Sequence, residues 1–108
     1  MFLARVIGQV VSTKKEADMK GHRLLLLRPM LVDPKDATRF APGNNTIIAV
    51  DTLGAGNNEM VMFVQGSSAR QCGGLKSLPI DAAVVGIVDS VNVQGRQIFS
   101  AGSDSTSS

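Results

Sequence analysis

His22 is the only histidine and Cys72 the only cysteine among 108 residues. A thiol activated by an imidazole is the first chemistry to consider. Such a pair needs a third group to orient the base and donors for the developing oxyanion. No spacing in the chain announces either. His22 follows Gly21 and reads as a solvent-exposed turn residue. Cys72 reads as an inert small residue; a reactive thiol would need the charge of the nearby Arg70. Asp51, Asp81 and Asp89 lie at the ends of predicted strands without the close spacing of a metal loop, so they read as caps and surface charges. The sequence therefore predicts no enzyme, no metal site and no cofactor.

Anion chemistry is the second possibility. Gly54-Ala55-Gly56 is a fragment common to nucleotide loops, but the third glycine and the following helix are missing, so it reads as a tight turn between paired strands. Lys14 and Lys15 lie in a mixed-charge stretch and read as a solvated connection rather than a phosphate site. Ser67, Ser68 and Arg70, after the break at Gly66, carry more. Their hydroxyls and backbone N–H groups would line an anion-friendly opening if copies met around an axis. The same residues also suit a helical turn capped by Ser67 or Ser68, with Arg70 pairing a carboxylate. Both readings hold together.

The elements that must position these residues are strands. Residues 1–11 alternate, with Phe2, Ala4, Val6, Gly8 and Val10 on the face that meets the core and Gly8 marking a bulge or close approach. Residues 24–27, bounded by Gly21 and Pro29, form a second strand. Pro29 and Pro34 confine the chain around them to an edge or loop. Residues 33–45 are polar and turn-rich, ending in Pro42-Gly43-Asn44-Asn45. Residues 46–50 and 60–64 read as an antiparallel pair joined by the Gly54–Gly56 turn. After a loop at 71–79, Asp81 caps a short turn through Ala82 and Ala83. Residues 84–93 then make one long strand with Val85, Ile87, Val91 and Val93 on a shared face.

Five short strands without a long helical period predict an all-β fold, a small five-stranded OB-like β-barrel with one or two short helical turns. The chain is long enough for one domain, here residues 1–99, burying about 65% of its unfolded surface. Residues 94–108 lose the pattern. Ile98-Phe99 is available to dock on a neighbour, and residues 100–108 read as a Ser-rich tail.

Composition narrows the partners. Formal net charge is +2, and there is no Trp or Tyr. An OB-like barrel invites single-stranded nucleic acid or a small ligand as the alternative function, but strand binders need a basic groove and exposed stacking rings. Phe2 and Phe63 fall in predicted strands as core or interface, so no nucleic-acid partner is expected. No run approaches the length of a membrane helix, so no membrane partner is expected either. Arg5 and Gln9 interrupt the apolar start, which is no signal-peptide pattern, and one cysteine makes no internal disulfide. The expected location is the cytoplasm.

Hydrophobic residues make up 44% of the chain. Runs 24–27, 46–50, 60–64 and 84–88 are apolar on both faces, whereas a lone antiparallel barrel should be polar outside. A copy of the same chain is the natural cover. At about 25 cal/mol per Å², each 400 Å² of apolar contact contributes about 10 kcal/mol before association costs of similar size.

Taken in order, several stretches carry a resemblance: LARVIGQVVSTKK at 3–15, LLLL at 24–27, GAG-x-x-E at 54–59 with its apolar strand, GSSAR at 66–70, and PIDAAVVGIVD at 79–89. Together they resemble the EutN/CcmL-type vertex proteins of bacterial microcompartment shells, over most of residues 1–93. The resemblance implies a small barrel that forms homopentamers and closes the corners of a polyhedral shell, beside hexameric and pseudohexameric shell proteins. It implies a structural protein located in that shell. It also implies that Gly54, Ala55, Gly56, Gly66, Ser67, Ser68 and Arg70 shape the subunit interface or an axial opening. Residues 33–45 are longer than is usual in that family.

Overall fold

The computed structural model describes residues 1–11, 22–66 and 81–102. Eight strands run in chain order: β1 (Phe2–Val10), β2 (Arg23–Val32), β3 (Phe40–Pro42), β4 (Ile47–Asp51), β5 (Met60–Gln65), β6 (Ala82–Ile87), β7 (Ser90–Val93) and β8 (Arg96–Ser100). The first six form one sheet ordered β1-β5-β6-β4-β2-β3, and a further β1–β2 pairing closes five of them into a barrel. β3 hangs on β2 outside the ring, and β7 with β8 make a separate two-stranded sheet. The five-stranded all-β barrel is as the sequence predicts.

Alternation in β1 explains how the barrel starts. Ala4 and Val6 are fully buried, joining Leu25, Leu27, Ala49, Val61, Phe63, Ala82 and Val84 in the core. The register slips between Val6 and Gly8, so Gly8 does mark a bulge. Directly opposed residues share a face. Val6 opposes Leu27, a core residue, but Gly8 opposes Leu26, whose neighbours on either side are the core positions. Beyond the bulge, then, Gly8 and Val10 no longer share the face of Ala4 and Val6.

β2 continues through Pro29 to Val32. Pro29 still opposes Ala4 of β1 and contributes a carbonyl, accepting from Gly43 N–H at 2.7 Å; beyond it Met30, Leu31 and Val32 pair only with the short β3, as an edge. Part of the expected 33–45 loop is therefore strand. The turn at its tip is built by acids: Asp33 Oδ1 accepts from Lys35 N–H at 2.9 Å, its Oδ2 meets Arg39 Nε at 3.2 Å, and Asp36 accepts from the hydroxyl and the N–H of Thr38.

Three expectations are corrected. β4 and β5 do not pair with each other; β4 lies between β2 and β6, while β5 lies between β1 and β6. The helical turn expected at Ala82-Ala83 is the start of β6, with Asp81 using its carbonyl to accept from Gly66 N–H at 2.8 Å. The other expected turn lies outside the described residues. Finally, the single strand at 84–93 is broken after Ile87, because Val88 N–H turns to the Met60 carbonyl at 2.8 Å. Its nominated face is the partly exposed one, and Val84 is the residue that enters the core.

Residues 94–100 are ordered rather than patternless. Gln94 and Gly95 both have positive φ, 52° and 79°, the requirement of a two-residue hairpin turn whose twist matches the strands. β8 folds back on β7, and Phe99 docks on this chain's own barrel at 5% exposure, with the Arg5 guanidinium 5.8 Å above its ring.

Candidate functional site

Residues 51–59 connect β4 to β5 and contain three of the nominated positions. The connection is built on one carboxylate. Asp51 ends β4 with its side chain wholly buried. Its Oδ1 accepts from Leu53 N–H at 2.9 Å, and its Oδ2 accepts from Gly54 N–H at 3.1 Å and Ala55 N–H at 2.9 Å. Arg23 Nη1 approaches the same Oδ2 at 3.0 Å and donates also to the Ala55 carbonyl at 3.1 Å. A carboxylate offers about four lone-pair positions. Here four donors from one loop and one strand converge on it, three of them on Oδ2. Asp51 does act as a cap, but it is no surface charge.

The consequences run along the loop. Gly54 takes φ +87°, which an L side chain adopts only with strain. Ala55 is pinned from both sides of its peptide unit and is fully buried in the core cluster. Gly56 N–H donates to the Glu59 carboxylate three residues on. The exit is tied to β1: Asn58 N–H donates to the Val6 carbonyl at 2.8 Å, and Val6 N–H to the Glu59 carbonyl at 2.9 Å. Arg5 Nη1 donates to the Asn58 carbonyl at 2.8 Å. This is a fixed loop that hands β5 to β1, which is why β4 and β5 part company.

A barrel with these strands and this loop can now be set against known proteins. A family model described as "Ethanolamine utilisation protein EutN/carboxysome" matches residues 1–89. The chain belongs to the EutN/CcmL family. The microcompartment shell vertex protein GrpN of Rhodospirillum rubrum is 46% identical over 91 residues, covering 84% of this chain and 96% of that one. The solved structure of Gloeobacter violaceus CcmL superposes with a TM-score of 0.80 at 42% identity, covering 94% of this chain and 98% of its own. The solved GrpN pentameric shell protein from R. rubrum gives a TM-score of 0.71 at 46% identity, covering 86% and 99%.

Of the positions nominated for this EutN/CcmL chain, Gly54, Ala55 and Gly56 come together on the Asp51 loop. Gly66 follows β5 with φ +67° and bonds to Asp81, on the other side of residues 67–80. Ser67, Ser68 and Arg70 lie outside the described residues, as do Cys72, Lys14 and Lys15. His22 is half-buried just ahead of β2 rather than exposed. Sequence reading saw Asp51 only as a cap or surface charge, and it gave Arg23 and Arg5 no part in the site. An aspartate with a Gly-rich run starting three residues on was the available signal for Asp51, since Asx side chains bond backbone N–H groups just downstream. No local signal announces Arg23, which acts 28 residues away.

Among the described residues, no group of three or more His, Cys, Asp or Glu is arranged to hold a metal ion. No helix of theirs is long and apolar enough to cross a membrane. Phe63 is buried at 1% exposure, and the Phe2 ring, half exposed, lies tilted against it with centroids 5.4 Å apart.

Proposed function

We propose that this chain is a structural subunit of a bacterial microcompartment shell, assembling as a homopentamer that closes a vertex. The observation that carries the reading is membership of a family whose GrpN relative, 46% identical, is a pentameric shell protein. The barrel's own surface agrees. Ile48, Phe2 and Ile7 are 54%, 50% and 40% exposed in the single chain, on strands whose outer face would be polar in an isolated antiparallel barrel. The excess is narrower than the sequence predicts, because Met60, Val61, Phe63 and Val64 of β5 are already buried within the chain.

The activity is geometric. Flat six-fold tiles cannot close a polyhedron, and a five-fold ring at each corner supplies the missing curvature. The partners are therefore copies of itself and the hexameric and pseudohexameric shell proteins around it, within the cytoplasmic shell. No catalytic role is assigned: the one buried carboxylate among the described residues, Asp51, is engaged by three backbone N–H groups of its own loop and by Arg23. Gly54, Ala55, Gly56, Gly66, Ser67, Ser68 and Arg70 are the positions proposed to shape the subunit interface or the axial opening.

Co-expression with hexameric shell proteins tests the role. Closed polyhedral particles should form when this chain is present, and open tubes or sheets when it is omitted. Equally closed particles in both cases would contradict it.

A further inference from the structure

We propose that the barrel walls centred on Ile48 and on Met62 are the two halves of one head-to-tail interface, each covered by the opposite wall of a neighbouring copy. This rests on the ring reading and assigns the surfaces that make the ring.

The strand order decides where these walls lie. Around the closed barrel β2 has β1 and β4 as neighbours, so β5 and β6 stand across from it. On the β2 side, Leu26 opposes Gly8 of β1 and Ile48 of β4, and Ile7 projects at the adjacent bulge. Ile48 at 54% and Ile7 at 40% exposure put projecting apolar side chains on this wall, the ridge of the pairing.

The opposite wall is concave. Leu3 opposes Met62, and Met62 opposes Gly86. A Cβ at Gly86 would come 2.5 Å from Met62 Cε, so the glycine gives that side chain room to lie across β6. β7 stands alongside and completes an open groove of about 530 Å³, lined by Leu3, Met62, Ile87 and Val91 with Asp89 at its edge.

Charge follows shape. Arg28 continues the ridge two residues along β2 from Leu26, on the same face, and Asp89 stands at the groove. Neither makes an ion pair with another described residue. An isologous dimer uses one patch twice; two different and complementary patches make a head-to-tail contact, which closes into a ring where the rotation between neighbours allows it.

Two variants at exposed positions test the pairing, with native mass spectrometry as the readout and circular dichroism checking the barrel. Ile48→Asp spoils only the ridge and Ile87→Asp only the groove. Each alone should run at the mass of one chain, 11.3 kDa. Mixed in equal amounts they should form a heterodimer and nothing larger, because one intact ridge then meets one intact groove. If aspartate at either position prevents folding, Ile48→Asn and Ile87→Asn read the same pattern. A mixture that stays monomeric, or a variant that still assembles like the parent, overturns the pairing while leaving the ring reading intact. A parent chain that is itself monomeric overturns both.

Discussion

Asp51 and Ala55 are joined across four residues by a carboxylate–amide hydrogen bond of 2.9 Å, both partners fully or nearly fully buried. That bond converts a Gly-rich connection into a rigid bracket between the end of β4 and the core.

Asp51→Asn tests the bracket. The amide keeps the shape but replaces one acceptor by a donor, facing either Leu53 N–H or the N–H groups of Gly54 and Ala55 together with Arg23. Unsatisfied buried donors and a broken buried pair predict a loss of about 2–4 kcal/mol. Urea unfolding at fixed protein concentration should show a lower midpoint with an unchanged slope. A change below about 0.5 kcal/mol would show that the loop is held by something else.

The β7–β8 hairpin should open separately from the barrel. Two strands alone are marginal in water, and this pair is held by Phe99 and by the Ala101 N–H to Asp89 carbonyl bond of 2.8 Å. Replacing a buried Phe by Ala costs about 3–5 kcal/mol where the structure cannot adjust. Here the hairpin can detach. Phe99→Ala should therefore strip hydrogen-exchange protection from β7 and β8 while β2, β4 and β5 keep theirs. Equal loss in all of them would mean one cooperative unit.

The turn between β2 and β3 is acid-sensitive. The Lys35 N–H above all holds the Asp33 carboxyl below its ordinary value; burial opposes it, and the Arg39 side chain adds to the lowering. The Thr38 hydroxyl and then its N–H do the same for Asp36. A lowered folded-state pKa means the contribution to stability is complete above the unfolded value, near 3.8, and is lost as pH falls through the folded one. Carboxyl carbon shifts followed by NMR should place both titrations below 3.8, with the Thr38 amide signal moving in step. Titration at or above 3.8 would contradict the turn geometry.

Much of this was legible in the sequence because the relevant physics is local. Alternation over Ala4, Arg5 and Val6 gave β1, and Gly8 marked the bulge. Leu24–Leu27, bounded by Gly21 and Pro29, gave the heart of β2. What escaped depended on distant partners. Residues 84–93 read as one strand because Val88 and Asp89 carry no breaker; the break comes from the Met60 carbonyl, 28 positions away. The β4–β5 pairing was assumed from closeness in the chain, and only the Asp51 carboxylate with Arg23 reveals a fixed loop in place of a hairpin. One miss was avoidable. Val91-Asn92-Val93, Gln94-Gly95 and Arg96–Phe99 spell two alternating runs around an x-Gly turn, obscured by the Ser-rich residues after them.

Arg70, carried by the GSSAR stretch, is proposed to line the interface or opening. Arg70→Ala should weaken the assembly, raising the concentration at which it dissociates by about tenfold, a loss of about 1.4 kcal/mol. Circular dichroism should remain that of a β-barrel. An assembly of unchanged stability on dilution would remove Arg70 from the proposed set.

Native mass spectrometry of the unmodified protein tests the vertex role most directly. The account predicts a discrete particle of five 11.3 kDa chains, persisting on dilution through the micromolar range. A discrete ring of six, or a stable single chain with Ile7, Ile48 and Ile87 left in water, would contradict it.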